Sequence, residues 1–197
     1  MAAPLSMSQR NELEGLSHQY GPVLYREEQI SPGFQDPVRK TDRVGEVCMV
    51  IRRPSGTLLL SIKSIYPRGA HRLPTGGVGV GEPIIAALFR ETHEETGLSV
   101  RLRRFLALIS YHAPDEREPV FHSFAFLLDE TGGTLGALDD EELIEEYVEI
   151  DQAELPRVAD RLENLPETDR GMAGGSWRDW GKFRAIVHRT VHEALSA

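Results

Sequence analysis

The chain has 197 residues, more than the commonest single-domain size of roughly 100–150 and too few for two domains of that size, so one domain with terminal additions is expected. Hydrophobic residues make up 40% and charged residues 27%, a balance that excludes collagen-like, disordered and disulfide-scaffold classes. Lys+Arg total 22 against 31 Asp+Glu, and the resulting net charge of −9 opposes binding to polymeric nucleic acid or an anionic membrane unless a basic patch or a metal reverses the sign locally.

The single cysteine, Cys48, stands among Val47, Met49 and Val50, which predicts a buried, inert thiol, and it leaves no intramolecular disulfide. The first ten residues lack a basic flank followed by an apolar run, and no stretch approaches about 20 uninterrupted apolar residues. A soluble protein at home in the reducing cytoplasm, with no membrane partner, is expected.

In chain order, Ser8 to Tyr20 shows helical spacing stopped by Gly21-Pro22, and Val23 to Arg43 reads as a strand or extended arm packing on the body or on a second subunit. Val44 to Ile51 has the pattern of a buried strand. Pro54-Ser55-Gly56 then turns the chain into Thr57 to Lys63, the second strand of a hairpin. Gly76, Gly77, Gly79 and Gly81 exclude a regular helix and predict loop or strand edge. A helix follows over about Pro83 to Thr96, closed by Gly97. Val100 to Tyr111 and Val120 to Leu128 form a long hairpin. Beyond the acidic run from Asp139, a short strand at Tyr147 to Ile150 leads to a helix over about Gln152 to Leu165. A linker, Gly171 to Gly175, precedes a last helix from Ser176 to about Leu195. Strands and helices in this irregular order predict an α+β fold, a mixed sheet covered by helices.

The chemistry is concentrated between Gly76 and Leu98. Glu91, Glu94 and Glu95 lie at i, i+3 and i+4 on the predicted helix, so their carboxylates share one face. Like charges so placed repel, and they call for a cation or a basic partner. Oxygen donors suit hard divalent cations, Mg²⁺ in particular, which binds a few carboxylates together with water and phosphate oxygens. The glycine segment just before the helix, including Gly76 and Gly77, lets backbone carbonyls and amides approach a metal or a phosphate. Arg90, next to Glu91 and four residues from Glu94, can hold these carboxylates in place.

This stretch resembles the box of the Nudix hydrolase family, G-x5-E-x7-R-E-U-x-E-E-x-G-U with U aliphatic: Gly76, Glu82, Arg90, Glu91, Glu94, Glu95, Gly97 and Leu98 stand in register. Thr92 departs from it at an aliphatic position. The resemblance implies a Nudix-type α/β/α sandwich with a mixed β-sheet over residues 43–165; the residue patterns on either side add an N-terminal helix and arm at 1–42 and a linker and C-terminal helix at 166–197 that packs on the domain or on a dimer partner. It implies Mg²⁺ or Mn²⁺ bound by Glu91, Glu94 and Glu95 with the Gly76 carbonyl, and structural or orienting roles for Glu82, Arg90 and Gly97. Either Glu91 or a carboxylate of the 139–145 run, with Glu142 the candidate, would serve as general base. The activity implied is hydrolysis of a nucleoside diphosphate linked to another moiety, a small-molecule substrate.

Substrate signals lie outside the box. Pro114 is similar to a downstream proline of the family's ADP-ribose pyrophosphatases, and Pro114-Asp115 is also an ordinary turn dipeptide. ADP-ribose or a nucleotide sugar leads. Leu59 to Ser64 followed by Arg68 is similar to a segment of coenzyme A pyrophosphatases, although Pro74 arrives early for that pattern. Coenzyme A and nucleoside triphosphates are the alternatives within the enzyme class. A non-catalytic nucleotide sensor is the alternative outside it, and the intact box glutamates argue against that. Arg68, His71 and Arg72 form a basic cluster that can meet phosphates. Tyr111 and His112 either stack on a base or close a core edge. Trp177, Trp180, Phe183, Val187 and Val191 have the spacing of a packing stripe. His188 and His192 share a face but lack a third ligand for zinc.

Overall fold

The computed structural model describes residues 4–31, 34, 38, 40–114, 116–168, 170 and 175–197, with the elements α1 (Met7–Tyr20), β1 (Leu24–Gln29), β2 (Arg43–Arg52), β3 (Leu58–Lys63), β4 (Thr75–Gly79), α2 (Ile84–Thr96), β5 (Leu98–His112), β6 (Phe121–Gly133), β7 (Ile144–Ile150), α3 (Leu155–Glu163) and α4 (Trp177–Ser196). Short 3₁₀ turns at Asp140–Glu142 and Gln152–Glu154 flank β7. Residues 32, 33, 35–37 and 39 of the expected arm, Asp115 of the Pro114-Asp115 pair and most of the glycine linker lie outside the described residues.

Alternation in β2 sets the layering. Val47, Met49 and Ile51 enter an apolar cluster with Leu13 and Leu16 of α1 and Ile84, Ala87 and Leu88 of α2. Cys48 and Val50 point the other way, into a cluster with Leu155, Val158 and Leu162 of α3 and Trp180, Phe183 and Val187 of α4. A strand buried on both faces reads as an unbroken apolar run, and β2 is one. The sheet is therefore covered on both sides, an α/β/α sandwich. Among the described residues its strand order is β1-β5-β6-β2-β3-β7, with β4 added on β2. The pairings are mixed: β1–β5 and β2–β6 are parallel, while β5–β6, β2–β4 and β3–β7 are antiparallel. No described helix is long and apolar enough to cross a membrane.

Two expectations change. The β2–β3 hairpin pairs only at its turn, Arg52 opposite Leu58. The 64–79 segment then wedges between the strands: Met49 N–H donates to Pro74 O, Thr75 pairs with Cys48, and Ser61 pairs with Arg72. β3 diverges and takes β7 as its partner. The helix expected from Gln152 is split into a 3₁₀ turn and α3, which restarts with Pro156 in its first turn, where a missing N–H costs nothing.

The placement of α2 depends on α1. Pro83 at the N-cap gives α2 no side-chain cap. Glu12 supplies one from α1, accepting from Ile84 N–H at 2.8 Å and Ile85 N–H at 2.9 Å, while Gln9 donates to Glu82 O at 2.8 Å. The other end closes on Gly97, whose φ of 65° is left-handed, and a Cβ there would lie 2.6 Å from Thr134 O.

His188 ties α4 to the wedge. Fully buried, it accepts from Leu73 N–H at Nε2 (3.0 Å), while Nδ1 meets Arg184 O at 2.7 Å, so its ring is the neutral Nδ1–H tautomer. Burial, with Arg72 and Arg184 nearby, pulls its pKa from 6.5 down to about 4. Between these values the unfolded chain binds the extra proton, so His188 stabilises the fold fully above pH 6.5 and progressively less as pH falls toward 4. Burial raises Glu95 to about 7, which acts in the opposite direction, so a paired comparison is needed to isolate the histidine. Relative to His188→Gln, whose amide oxygen can still accept from Leu73 N–H, the wild type is expected to lose about 3 kcal/mol between pH 7 and pH 4, read from urea unfolding at each pH.

Candidate metal and phosphate site

β4 and α2 make the site together. Gly76 backs directly onto the Glu91 side chain, and a Cβ at this position would collide with the carboxylate, so the strand approaches the helix only because residue 76 is glycine. Glu91 and Glu95, one turn apart on the inner face of α2, are buried at 8% and 1% exposure. Glu142, from the 3₁₀ turn before β7, meets them, and one carboxylate oxygen from each lies within 4.8 Å of the others. Leu143, which follows Glu142, has a left-handed backbone (φ 53°), and its carbonyl accepts from Ser64 N–H at 2.9 Å, which fixes the turn against the end of β3.

Arg90 organises the outer side. Its guanidinium donates to Glu82 Oε1 (3.0 Å), Glu91 Oε1 (2.8 Å), Glu94 Oε2 (3.0 Å) and Gly77 O (3.1 Å), while Glu82 Oε2 accepts from Gly79 N–H at 2.8 Å. Glu82 and Arg90 thus lock the glycine strand to the helix. Glu94 is directed to Arg90 and stands outside the three-carboxylate cluster. Thr92, at the aliphatic position, is buried and donates to Leu88 O at 2.6 Å, so its hydroxyl is satisfied within the helix.

The cluster is short of positive charge. Burial raises the Glu91 pKa, against the pull of Arg90, and raises Glu95 to about 7. Lys63 Nζ lies 2.5 Å from Glu142 Oε2 and 3.4 Å from Glu95 Oε1. Burial works to raise the Glu142 pKa, but Lys63 outweighs it and holds that carboxylate below its ordinary value. Glu95 Oε2 has no hydrogen-bond partner although it is buried. A buried carboxylate oxygen without a partner, in an all-carboxylate donor set against the Gly76 backbone, fits a hard divalent cation such as Mg²⁺ or Mn²⁺.

Beside the cluster lies a cavity of about 380 Å³, with Gly76, Gly77 and Lys63 in its lining. Arg72 and Arg184 line it, with Tyr66, Trp177 and Trp180. Arg184 is held by Glu46, its Nη1 lying 2.7 Å from both carboxylate oxygens, with both residues buried. Arg72 donates to Leu73 O (2.8 Å), Thr75 Oγ1 (3.1 Å) and Tyr66 Oη (3.1 Å).

The structure divides the basic cluster expected before the glycines. Arg72 is buried and reaches the cavity wall, whereas Arg68 is exposed on a separate depression with His71, which pairs with Glu146 at 2.9 Å. The fold separates them because Arg72 pairs back onto Ser61 while residues 67–69 turn outward. Tyr111 is core, and the exposed Pro114 lines neither cluster nor cavity. Sequence reasoning passed over Lys63, Glu46, Arg184 and Tyr66. It assigned Trp177 and Trp180 to packing, and the half-buried Trp177 is where a helical stripe meets a cavity.

The NUDIX domain family matches residues 42–168. An ADP-ribose pyrophosphatase of Methanocaldococcus jannaschii is 37% identical over 112 residues, covering 56% of this chain and 63% of that protein, so the match spans less than two thirds of this relative. Among solved structures, an ADP-ribose pyrophosphatase of Streptococcus suis 89-1591 is similar at 18% identity and a TM-score of 0.46, over 77% of this chain and 91% of that one. The MutT protein of Methanosarcina mazei Go1 is similar at 17% identity and a TM-score of 0.41, over 75% and 96%. Since the matched region runs through the glycine strand, the carboxylate helix and the turn that carries Glu142, the chain belongs to the NUDIX family.

Proposed function

We propose that the chain is a divalent-cation-dependent hydrolase that cleaves the diphosphate linkage of a nucleoside diphosphate joined to another moiety, with ADP-ribose or a nucleotide sugar as lead substrates. The observation that carries this reading is the buried Glu91-Glu95-Glu142 cluster, with its unpartnered oxygen, opening onto a cavity lined by cations. The name of the Methanocaldococcus jannaschii relative favours ADP-ribose within that class.

Glu91, Glu95 and Glu142, with the Gly76 carbonyl, would hold Mg²⁺ or Mn²⁺, while Glu94, expected from the sequence as a further ligand, pairs with Arg90 outside that cluster. When bound, the ion offsets the charge of the diphosphate and activates water for attack on phosphorus. Arg90 keeps Glu91 and Glu94 oriented, and Lys63 fixes Glu142. Either Glu91 or Glu142 would accept the proton of the attacking water, at a carboxylate oxygen. Arg72 gives the cavity charge that draws in a phosphate-bearing substrate despite the chain's net −9, while the charge of Arg184 is offset by Glu46. Arg68, on the separate depression, contributes charge at a distance, and Gly77 offers backbone in the cavity lining.

The test is turnover by the full chain in Mg²⁺ or Mn²⁺ of ADP-ribose, nucleotide sugars, nucleoside triphosphates, dinucleoside polyphosphates and coenzyme A. ADP-ribose or a nucleotide sugar is expected to give the highest kcat/KM. A triphosphate or coenzyme A far ahead of both would overturn the substrate assignment. Nucleotide binding without turnover of any compound would overturn the enzyme assignment.

A further inference from the structure

Several walls of the cavity come from outside the region that the NUDIX family matches. Trp177, Trp180 and Arg184 belong to α4, beyond residue 168, yet they line the same space as Gly76 and Gly77. Trp177 packs against the core cluster from its edge, at the cavity wall. Trp180, Phe183, Val187 and Val191 are the buried residues that fix the helix on the sheet, whereas Trp177 remains half-buried at the cavity wall. It belongs to an aromatic group, 5.4 Å from Trp180 and 5.8 Å from Tyr66 between ring centroids, and the Arg170 guanidinium lies 5.2 Å from its ring centroid. A planar group over this ring is already part of the structure.

The aromatic group and the carboxylates are joined by an unbroken series of contacts. Glu91 backs onto Gly76; Thr75, the preceding residue, accepts from Arg72; Arg72 donates to Tyr66; and the Tyr66 ring meets Trp177 and Trp180. Carboxylates at one end, arginines between and flat rings at the other match the order of groups along a nucleotide: phosphates, then a sugar, then a base. Aromatic side chains stack on any base, because every base has a π-face.

We propose that Trp177, supported by Trp180 and Tyr66, is the nucleobase subsite of this chain, so that α4, outside the NUDIX domain, selects for nucleosidic substrates. This rests on the reading of the site as one for nucleoside diphosphate derivatives, but its test involves no turnover. The chain has two tryptophans and both line the cavity, so intrinsic fluorescence reports on its occupancy. The chain of 197 residues is titrated in EDTA with AMP and with ribose 5-phosphate, which differ by the base, and affinities are measured in parallel by calorimetry.

AMP is expected to change the tryptophan emission and to bind at least about fivefold more tightly than ribose 5-phosphate, the lower end of what stacking one base contributes. Trp177→Leu is expected to remove most of that difference and to leave ribose 5-phosphate unaffected, whereas Trp177→Phe, which keeps a ring, retains it within about threefold. Equal affinity of the wild type for the two compounds overturns the proposal, as does undiminished AMP binding by a folded leucine variant. Should the leucine variant fail to fold, the wild-type comparison and the phenylalanine variant decide. Equal binding of AMP and ribose 5-phosphate by a chain that hydrolyses its substrate would refute this subsite and leave the proposed activity standing; base-selective binding without hydrolysis would do the reverse.

Discussion

Glu95→Gln is expected to reduce metal-dependent turnover by at least about 100-fold while leaving the protein folded. Replacing groups that merely support a metal ligand costs about 10–100-fold, so neutralising a buried member of the carboxylate cluster belongs at or beyond the upper end of that range. The stability of the variant distinguishes this account from a structural role. Burial raises Glu95 to about 7 and one of its oxygens has no partner, so in EDTA above that pH its charge opposes folding. A neutral amide of the same shape is therefore expected to unfold at or above the wild-type temperature in EDTA, and to lose the stabilisation that Mg²⁺ gives the wild type. Glu91→Gln is expected to lose turnover similarly. Glutamine variants with undiminished turnover would remove these residues from the chemistry. A large loss of stability in EDTA would make Glu95 a structural residue.

The second large effect lies beneath the cavity. Glu46→Ala leaves the Arg184 guanidinium buried without its carboxylate and takes an acceptor from Ser123 Oγ, now at 2.9 Å. Removing one partner of a buried ion pair costs about 3–5 kcal/mol, most of it the stranded charge. In a chain of this size that corresponds to a fall in Tm on the order of 10 °C. Glu46→Gln, which still accepts from Arg184, is expected to lose less. The double variant Glu46→Ala/Arg184→Met is expected to recover at least about half of the loss, because no charge is then left unpaired. Urea unfolding of the four proteins measures both effects, and a Glu46→Ala variant within about 1 kcal/mol of wild type would contradict the pair as described.

What was legible in the sequence was local. The i, i+3, i+4 spacing of Glu91, Glu94 and Glu95, the glycines before them and Gly97 after them act over one strand and one helix, and α2 forms over the residues expected. The apolar run around Cys48 specified a strand buried on both faces. The parts that escaped depend on contacts distant in sequence. No pattern in residues 57–63 distinguishes pairing with β2 from pairing with β7, because both neighbours satisfy the same alternation and only the wedge at 64–79 separates them. Glu46 and Arg184 stand 138 residues apart, each an ordinary charge until the fold brings them together. Helical spacing showed that Trp177 and Trp180 share a face, but not that a cavity borders part of it. Glu142 was within reach because the acidic run was short; Lys63, which holds it, had no signal beyond its place at the end of a strand.

The most direct measurement is the metal requirement of hydrolysis in isotopically labelled water. The full chain, freed of metal with EDTA, is given the best substrate of the panel in H₂¹⁸O, Mg²⁺ or Mn²⁺ is then added back, and the products are read by mass spectrometry. The expected result is no product before the ion is added, then cleavage of the diphosphate linkage with one ¹⁸O in one of the two phosphate-bearing products. The same rate in EDTA, or cleavage that leaves ¹⁸O out of both phosphate-bearing products, would contradict the assignment of Glu91, Glu95 and Glu142 to a metal site that activates water.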